Sequence, residues 1–236
     1  MSAAASAAVD PNRLLAALTA CDLGLLDPHL ESIALETRRV LEAPNRPIRH
    51  VYFMQRGIAS VVAVNDDDKQ VEIGIVGCEG MTGMTVVMGD DRSPHATYIQ
   101  VAGHGRRIAA GKLRQALEKS SSLHKSLLKF AHAFMIQTAH TAIANGRASL
   151  EERLARWILM AHDRVPSDTL PLTHEFLSIM LGVRRAGVTV ALHGLEGRGL
   201  IKSRRGLIRL IDREGVRAVA GGYYGTPEAE LKRLMR

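Results

Sequence analysis

Residues Leu181 to Ile201, LGVRRAGVTVALHGLEGRGLI, set two adjacent arginines, Arg184 and Arg185, after a Gly-Val turn and before an apolar stripe. Val188, Ala191, Leu192 and Leu195 recur at i, i+3, i+4 and i+7, the buried face of a helix, so the opposite face carries Arg184, Arg185, Thr189 and His193. A helix armed in this way at its N-terminal turn can offer planar guanidinium forks to guanine O6 and N7 in a DNA major groove. Gly197-Arg198-Gly199 ends the helix. LIKS and LIRLI then read as two strands, with Arg204-Arg205-Gly206 as the tight turn between them. Upstream, HEFLSIML reads as a short first helix, with the Thr173 hydroxyl as N-cap and Gly182 as its stop. The whole is a winged helix-turn-helix pattern whose DNA-facing set is Thr173, Arg184, Arg185, Thr189, His193, Lys202, Arg204 and Arg205, the wing cations lying on phosphates.

The charge balance points the same way. The chain of 236 residues has a formal net charge of +7. Residues 1–146 are nearly balanced, with 15 basic and 14 acidic side chains, whereas residues 147–236 hold 16 and 10. Arg184, Arg185, Arg198, Lys202, Arg204, Arg205 and Arg209 face one acid, Glu196, in the stretch they span. Charge of one sign concentrated so tightly repels itself unless a polyanion relieves it, and with the helix-turn-helix pattern the expected polyanion is double-stranded DNA.

Other elements must hold this module. Asn12 to Leu41 has helical periodicity broken at Leu26-Asp27-Pro28, where Asp27 as N-cap and Pro28 at the first helical position start a second short helix. From Pro47 the texture turns to β-branched runs, HVYFM, IASVVAV, VEIGIVG and ATYIQVAG, bounded by Gly, Asn or Asp as in an antiparallel roll or barrel. Asp66-Asp67-Asp68 lacks the glycine and glutamate of a calcium loop and reads as a hairpin tip. Leu113 to Asn145 is one long helical run whose apolar residues occupy more than one face, which requires two packing partners. One is the roll. The other is the same helix of a second subunit, in a coiled-coil-like seam, or an element of the same subunit. Asn145-Gly146-Arg147 interrupts the run before LEERLARWILMAHDRV resumes it, and the domain boundary falls there.

The expected fold class is α+β: an N-terminal antiparallel β-roll (jelly-roll-like) with flanking helices, a long dimerisation helix and a C-terminal winged helix-turn-helix. The division is a disordered tail (1–11), an effector roll (12–111), the dimerisation helix (112–146), the DNA-binding domain (147–220) and a C-terminal tail with a short helix (221–236). In that last helix Thr226 is the N-cap and Pro227 the first residue, and it is expected to pack on the winged helix.

Several functions lack residues to carry them. His124, His132 and His140 recur every eight positions on one helix, turned by about 80° per step, which is poor geometry for a single metal site. No nucleophile motif, glycine-rich phosphate loop or metal-ligand spacing points to an enzyme. Cys21 and Cys78 read as small core residues of a reducing compartment. MSAAASAAVD has no signal-peptide character, and no stretch approaches the ~20 apolar residues of a membrane span, so a cytoplasmic protein without a membrane partner is expected.

The order of roll, long helix and winged helix, with RASLEERLARWILMAHDRV and LTHEFLSIMLGVRRAGVTVALHGLEGRGLI as its most specific stretches, resembles the Crp/Fnr family of bacterial transcription regulators from about Asn12 to Ala220. The resemblance implies a homodimer on a near-palindromic operator, RNA polymerase as a further partner, and a cyclic-nucleotide-binding-like domain that orients the DNA-binding domains. Members that bind cyclic AMP have a Gly-Glu pair early in the phosphate cassette and an Arg followed by a small residue near its end. This chain has Gly80-Met81 and Pro94-His95-Ala96 in those places. His95 matches the arginine, with Arg92 as the substitute if the loop shifts, and Thr138 falls where the family touches the purine. Gly80, Met81, Arg92, His95, Ala96 and Thr138 are therefore the effector-pocket candidates, and the missing glutamate argues against cyclic AMP in its usual mode. The N-terminal cysteine cluster of the iron–sulfur branch is also missing, so no such cluster is expected, and the effector is unassigned. Arg185 matches the first base-reading arginine, whereas Ala186 and Val190 stand where a Glu and a second Arg occur, so the operator differs from the best-known ones. Gly187 either permits close approach to the DNA backbone or has no special role. Three functions fit: a sequence-specific DNA-binding regulator, an effector module whose winged domain contacts protein, and a cyclic-nucleotide-responsive regulator.

Overall fold

The computed structural model describes residues 10–65, 67 and 69–235, so the tail expected over 1–11 lies almost wholly outside the described residues. Asp10, near its end, is held in place: it accepts from Gln55 Nε2 at 3.0 Å and pairs with Arg106 at 3.2 Å. α1 (Arg13–Ala16) and α2 (Ala20–Leu26) are capped by Asn12 and Thr19, whose side chains accept from Leu15 N and Asp22 N. The second helix expected at Asp27-Pro28 is only a 3₁₀ turn over Asp27–His29. Beyond it the chain extends as β1 (Glu31–Leu35) and β2 (Val40–Glu42). Ile33 and Leu35 also satisfy strand spacing, and pairing with a distant strand decides between the two periods: Glu31 to Leu35 run antiparallel to Arg107 to Gly103.

The roll is completed by β3 (His50–Val64), β4 (Gln70–Val76), α3 (Met84–Val87) and β5 (Ala96–Ala109). Its antiparallel order is β1-β5-β3-β4, with β2 on the other end of β5. HVYFM and IASVVAV form one strand, bent where the register against β5 shifts around Gly57 (φ 86°). A Cβ at Gly57 would overlap the Val101 carbonyl, so this bend depends on glycine. The β3–β4 hairpin closes through Asn65 N to Lys69 O at 3.1 Å; Asp66 and Asp68 of the expected tip lie outside the described residues.

The helical run after the roll is two helices, α4 (Ala110–Lys119) and α5 (Ser121–Arg147). Ser120 breaks it: its backbone is extended, its hydroxyl accepts from Leu123 N, and it donates to Asp22. α5 continues through Asn145 and Gly146, and the interruption comes at Ala148-Ser149, where Ser149 and Glu152 form a capping box for α6 (Leu150–His162). There follow β6 (Thr169–Pro171), α7 (His174–Leu181), α8 (Arg185–Gly197), β7 (Ile201–Arg204), β8 (Leu207–Leu210), α9 (Arg213–Ala220) and α10 (Thr226–Leu234). The small sheet has the order β6-β8-β7.

Thr226 is the first residue of α10 rather than its cap; Gly225 precedes it, its N–H donating to Glu228 at 2.9 Å. Nor does α10 rest on the winged helix. It lies along α5, with Leu231 and Met235 against the apolar core of the roll. Its apolar face Pro227, Leu231, Met235 finds a complementary stripe on α5, which a local reading has no means to prefer. Cys21 is exposed and Cys78 half-buried, so neither is the core residue expected.

Two apolar clusters organise the molecule. One fills the roll and includes Leu123, Leu127 and Phe130 of α5. The other joins α6, α7 and α8 to Ile58, Val62, Ile75 and Val101 on the sheet, so roll and C-terminal half share buried surface. Buried polar contacts also cross this joint. Trp157 Nε1 donates to Glu72 Oε1 at 2.6 Å, and Arg164 Nε donates to Glu79 at 2.7 Å in a nearly solvent-free ion pair. Leu128, Met135 and Ile143 of α5 are exposed on a separate stripe that also carries His132, Ala139 and Gly146. The architecture is the α+β arrangement expected: antiparallel roll, long helix, winged helix-turn-helix. Among the described residues no single helix is long and apolar enough to cross a membrane.

Candidate nucleic-acid interface

The helix-turn-helix is set by its caps and its buried stripe. Thr173 Oγ1 accepts from Phe176 N at 3.2 Å and starts α7. Gly182, at φ 60°, stops it in the left-handed region. Val183 N returns to Ser178 O at 2.9 Å, and the chain leaves toward α8 bent by 104°. That angle lies within the ~90–120° of the motif. Val188, Ala191, Leu192 and Leu195 are buried, as their spacing predicts. The outer face of α8 then presents Arg184, Arg185, Thr189, Val190 and His193.

Arg184 occupies the N-cap position without making a side-chain cap, and its guanidinium is free for another partner. Arg185 is 3.2 Å from Glu175 on α7. Thr189 Oγ1 donates to Arg185 O at 3.1 Å and also lies 3.1 Å from His174 Nδ1 on α7, so its hydroxyl is held between α8 and α7. Arg184, Arg185 and His193 are thus exposed and Thr189 half-buried, the two arginines at the leading end of the helix.

The wing turns through Arg205 (φ 32°) and Gly206 (φ 79°) between paired Arg204 and Leu207. Lys202 stands directly opposite Arg209 in the β7–β8 ladder, a like-charge pair that destabilises a hairpin in isolation. Among the described residues Arg184, Lys202, Arg204, Arg205 and Arg209 have no acidic partner within ion-pair distance, and all five are exposed. A fold that tolerates five unpaired cations, two of them face to face, has a surface whose electrostatic complement is elsewhere. A polyanion is the chemistry such a surface fits.

The effector candidates are brought together only in part. Gly80 and Met81 are buried: a Cβ on Gly80 would overlap the Phe130 ring, and Met81 bridges to Phe53 in the roll. They are structural. Arg92 is exposed and bound to its neighbour Asp91 at 2.9 Å. Thr138 gives its hydroxyl to Phe134 O, one turn back on its own helix, at 3.1 Å. His95 is the one candidate that lines the small cavity of about 100 Å³ between the roll and α5, and Ala96 begins β5 beside it. Phe134 and Met135 project into the same space. Glu42 lines it too; burial pushes its carboxyl above the usual range, against hydrogen bonds from Gly83 N–H, Thr82 and Thr97.

Comparison with known proteins agrees with this geometry. Residues 152–219 match the family model of the Crp-like helix-turn-helix domain. The chain bears a Crp-like helix-turn-helix domain on a Crp/Fnr fold. FixK2 from Bradyrhizobium japonicum matches with a TM-score of 0.71 at 15% identity, over 82% of this chain and 98% of that one. A transcriptional regulator of the Crp/Fnr family from Eubacterium rectale matches at 0.68 and 16% identity, over 86% and 95%. CLP of Xanthomonas campestris, described as a c-di-GMP-responsive global regulator, matches at 0.65 and 19% identity, over 81% and 99%. No curated protein matches the chain.

On this Crp-like domain three features lie beyond what local sequence patterns give. Val190 is 72% exposed, an apolar side chain facing outward beside Arg185 and Thr189; its absence from the buried stripe was the available signal. Arg38, at φ 70° in the turn between β1 and β2, reaches across to α7, with its guanidinium 3.9 Å from Glu175 and 5.8 Å from the Phe176 ring centre. Nothing local in the sequence joins those residues. Gly187 faces inward: a Cβ there would stand 3.1 Å from Leu150 Cδ2, and one at Gly194 would stand 3.3 Å from Glu151. These glycines let α8 close on α6, so the open reading of Gly187 as a point of DNA approach is replaced by helix packing.

Proposed function

We propose that the chain is a sequence-specific transcription regulator that binds a near-palindromic operator as a homodimer in the bacterial cytoplasm. The observation that carries this reading is α8, whose leading end exposes Arg184 and Arg185, followed by a wing whose Lys202, Arg204 and Arg205 are exposed and have no acidic partner among the described residues. Arg184 and Arg185 read base edges; Val190 contacts a thymine methyl; Thr173, Lys202, Arg204 and Arg205 lie on phosphates and fix register. The exposed stripe of α5 supplies the dimer seam, and RNA polymerase is the further partner of a regulator of this kind.

The cassette is not a cyclic-nucleotide site in this reading. A cavity of about 100 Å³ is well below the roughly 300–1,000 Å³ of ordinary ligand pockets, and its buried ionisable group is an acid, Glu42, where a cyclic phosphate needs a cation.

Selection of bound sites from random duplex DNA tests the proposal. Wild-type protein should return a two-fold symmetric site with half-sites about one helical turn apart, ~34 Å. Affinity should fall by orders of magnitude between ~50 and ~200 mM salt. The double variant Arg184→Ala/Arg185→Ala, altered only at exposed positions, should lose preference among sequences. An asymmetric site, salt-insensitive binding, or unchanged preference in the double variant overturns the reading, and salt-insensitive capture of a protein instead supports a protein-contacting winged domain.

A further inference from the structure

A second cavity, of about 680 Å³, lies on the opposite side of α5 from the exposed stripe. Phe130, Ala133 and Phe134 of α5 form one wall, and Pro227, Leu231 and Met235 of α10 form the facing wall. Its volume falls inside the range of small-molecule sites, and it is about seven times that of the space in the cassette. α10 therefore lies along α5 with a largely apolar space left beside their contact.

The polar groups of this chamber sort into two kinds. Most are already engaged. Glu79 holds Arg164, Gln137 exchanges bonds with the backbone of Ile75 at 2.8 and 3.2 Å, and Asp163 takes Arg213 at 2.6 Å and the Tyr224 hydroxyl at 2.7 Å. Glu228 is occupied with Gly225 N. Arg13 and Lys232 are different: both are exposed at the edge of the chamber, and among the described residues neither side chain has a hydrogen-bond or ion-pair partner. The uncommitted polar groups are thus two cations, Arg13 of α1 and Lys232 of α10, at the rim of an apolar space.

We propose that the chamber under α10 binds an amphipathic organic anion of the alkyl carboxylate type, its apolar chain between Phe130, Phe134 and Leu231 and its carboxylate at Arg13 and Lys232. Apolar walls with a few placed polar groups are what a small-molecule site requires, and the charge of the free groups selects the sign of the ligand. A second copy of the chain on the exposed stripe leaves the site open: at 100° per residue, Ala133 and Gln137 point about 140–180° away from Leu128. The walls come from both halves of the molecule, Arg13 and Glu79 from the roll and Asp163 and Arg164 from the end of α6. A ligand held there bears on the joint between them, which makes it the effector of the regulator; this last step rests on the DNA-binding reading above.

Calorimetric titration of the full chain with decanoate, decanol and acetate tests the site without DNA. Decanoate should bind at one site per chain, with decanol and acetate each at least tenfold weaker. Arg13→Gln/Lys232→Gln should bring decanoate down to the level of decanol. Leu231→Trp, which fills the chamber from the half-exposed α10, should weaken decanoate and decanol alike, its thermal unfolding confirming the fold. No binding of decanoate, equal binding of decanol or acetate, or full binding by Leu231→Trp overturns the site. With decanoate bound, operator affinity should change severalfold; binding without that change keeps the site and overturns its role as effector.

Discussion

Arg185 and Lys202 carry the same charge and are expected to fail in different ways. A guanidinium that reads one base pair contributes about 1–3 kcal/mol of discrimination, so Arg185→Ala should relax preference at a single position of each half-site. Lys202→Ala should weaken binding to all sequences alike and reduce the slope of log affinity against log salt by about one, since one phosphate contact is lost. A salt titration on operator and mismatched DNA separates the two patterns. Arg185 is also engaged before any DNA arrives, through Glu175, which Arg38 approaches from the roll. These pairs are exposed and worth ~0–1 kcal/mol, so Glu175→Gln should raise operator affinity by no more than about fivefold. A fall in affinity would mean that Glu175 positions Arg185 rather than occupying it.

Elements built on one dominant period were the most legible. The buried positions of α8 followed from four apolar residues at helical spacing, and the wing from two short strands around Arg-Arg-Gly, because each is decided by neighbours in sequence. β1 was not legible: its apolar residues fit both periods, and its pairing with the far end of β5 is a long-range contact. The break at Ser120 was hidden for the same reason, since the Asp22 carboxylate that stabilises it arrives from α2. The candidate effector residues were carried over from a resemblance, and four of the six turn out to be packed, exposed or bonded to their own helix. α5 is the element with the clearest consequence. Leu128, His132, Met135, Ala139, Ala142 and Gly146 alternate by four and three, the spacing that a two-stranded coiled-coil seam requires. Met135 is 62% exposed in the single chain, so Met135→Asp should leave its folding intact while converting a dimer to monomers in sedimentation. Operator affinity should collapse with it, since one half-site remains per molecule. An unchanged sedimentation coefficient would place the seam elsewhere.

The two halves of the molecule meet over a buried acid, and this makes the stability of the whole depend on pH. Glu72 is enclosed between β4 and α6; burial pushes its carboxyl up to about 7, against stabilising bonds from Ser60 and Trp157. Protonated, Glu72 can donate from Oε2 to Ser60 Oγ, 2.6 Å away. The folded state therefore holds a proton that the unfolded chain releases near the ordinary value of 4.5. With more protons bound in the native state, stability falls as pH rises. The contribution is complete below about 4.5 and lost as pH passes through about 7, for a total on the order of 3 kcal/mol. Glu72→Gln keeps the acceptor for Trp157 and never ionises, so denaturant unfolding at pH 5 should differ little from wild type. At pH 8 the variant should be the more stable of the two, and the fall between those values should flatten. A variant less stable than wild type at pH 8 would mean that the joint favours the carboxylate, and that Trp157 and Ser60 outweigh its burial.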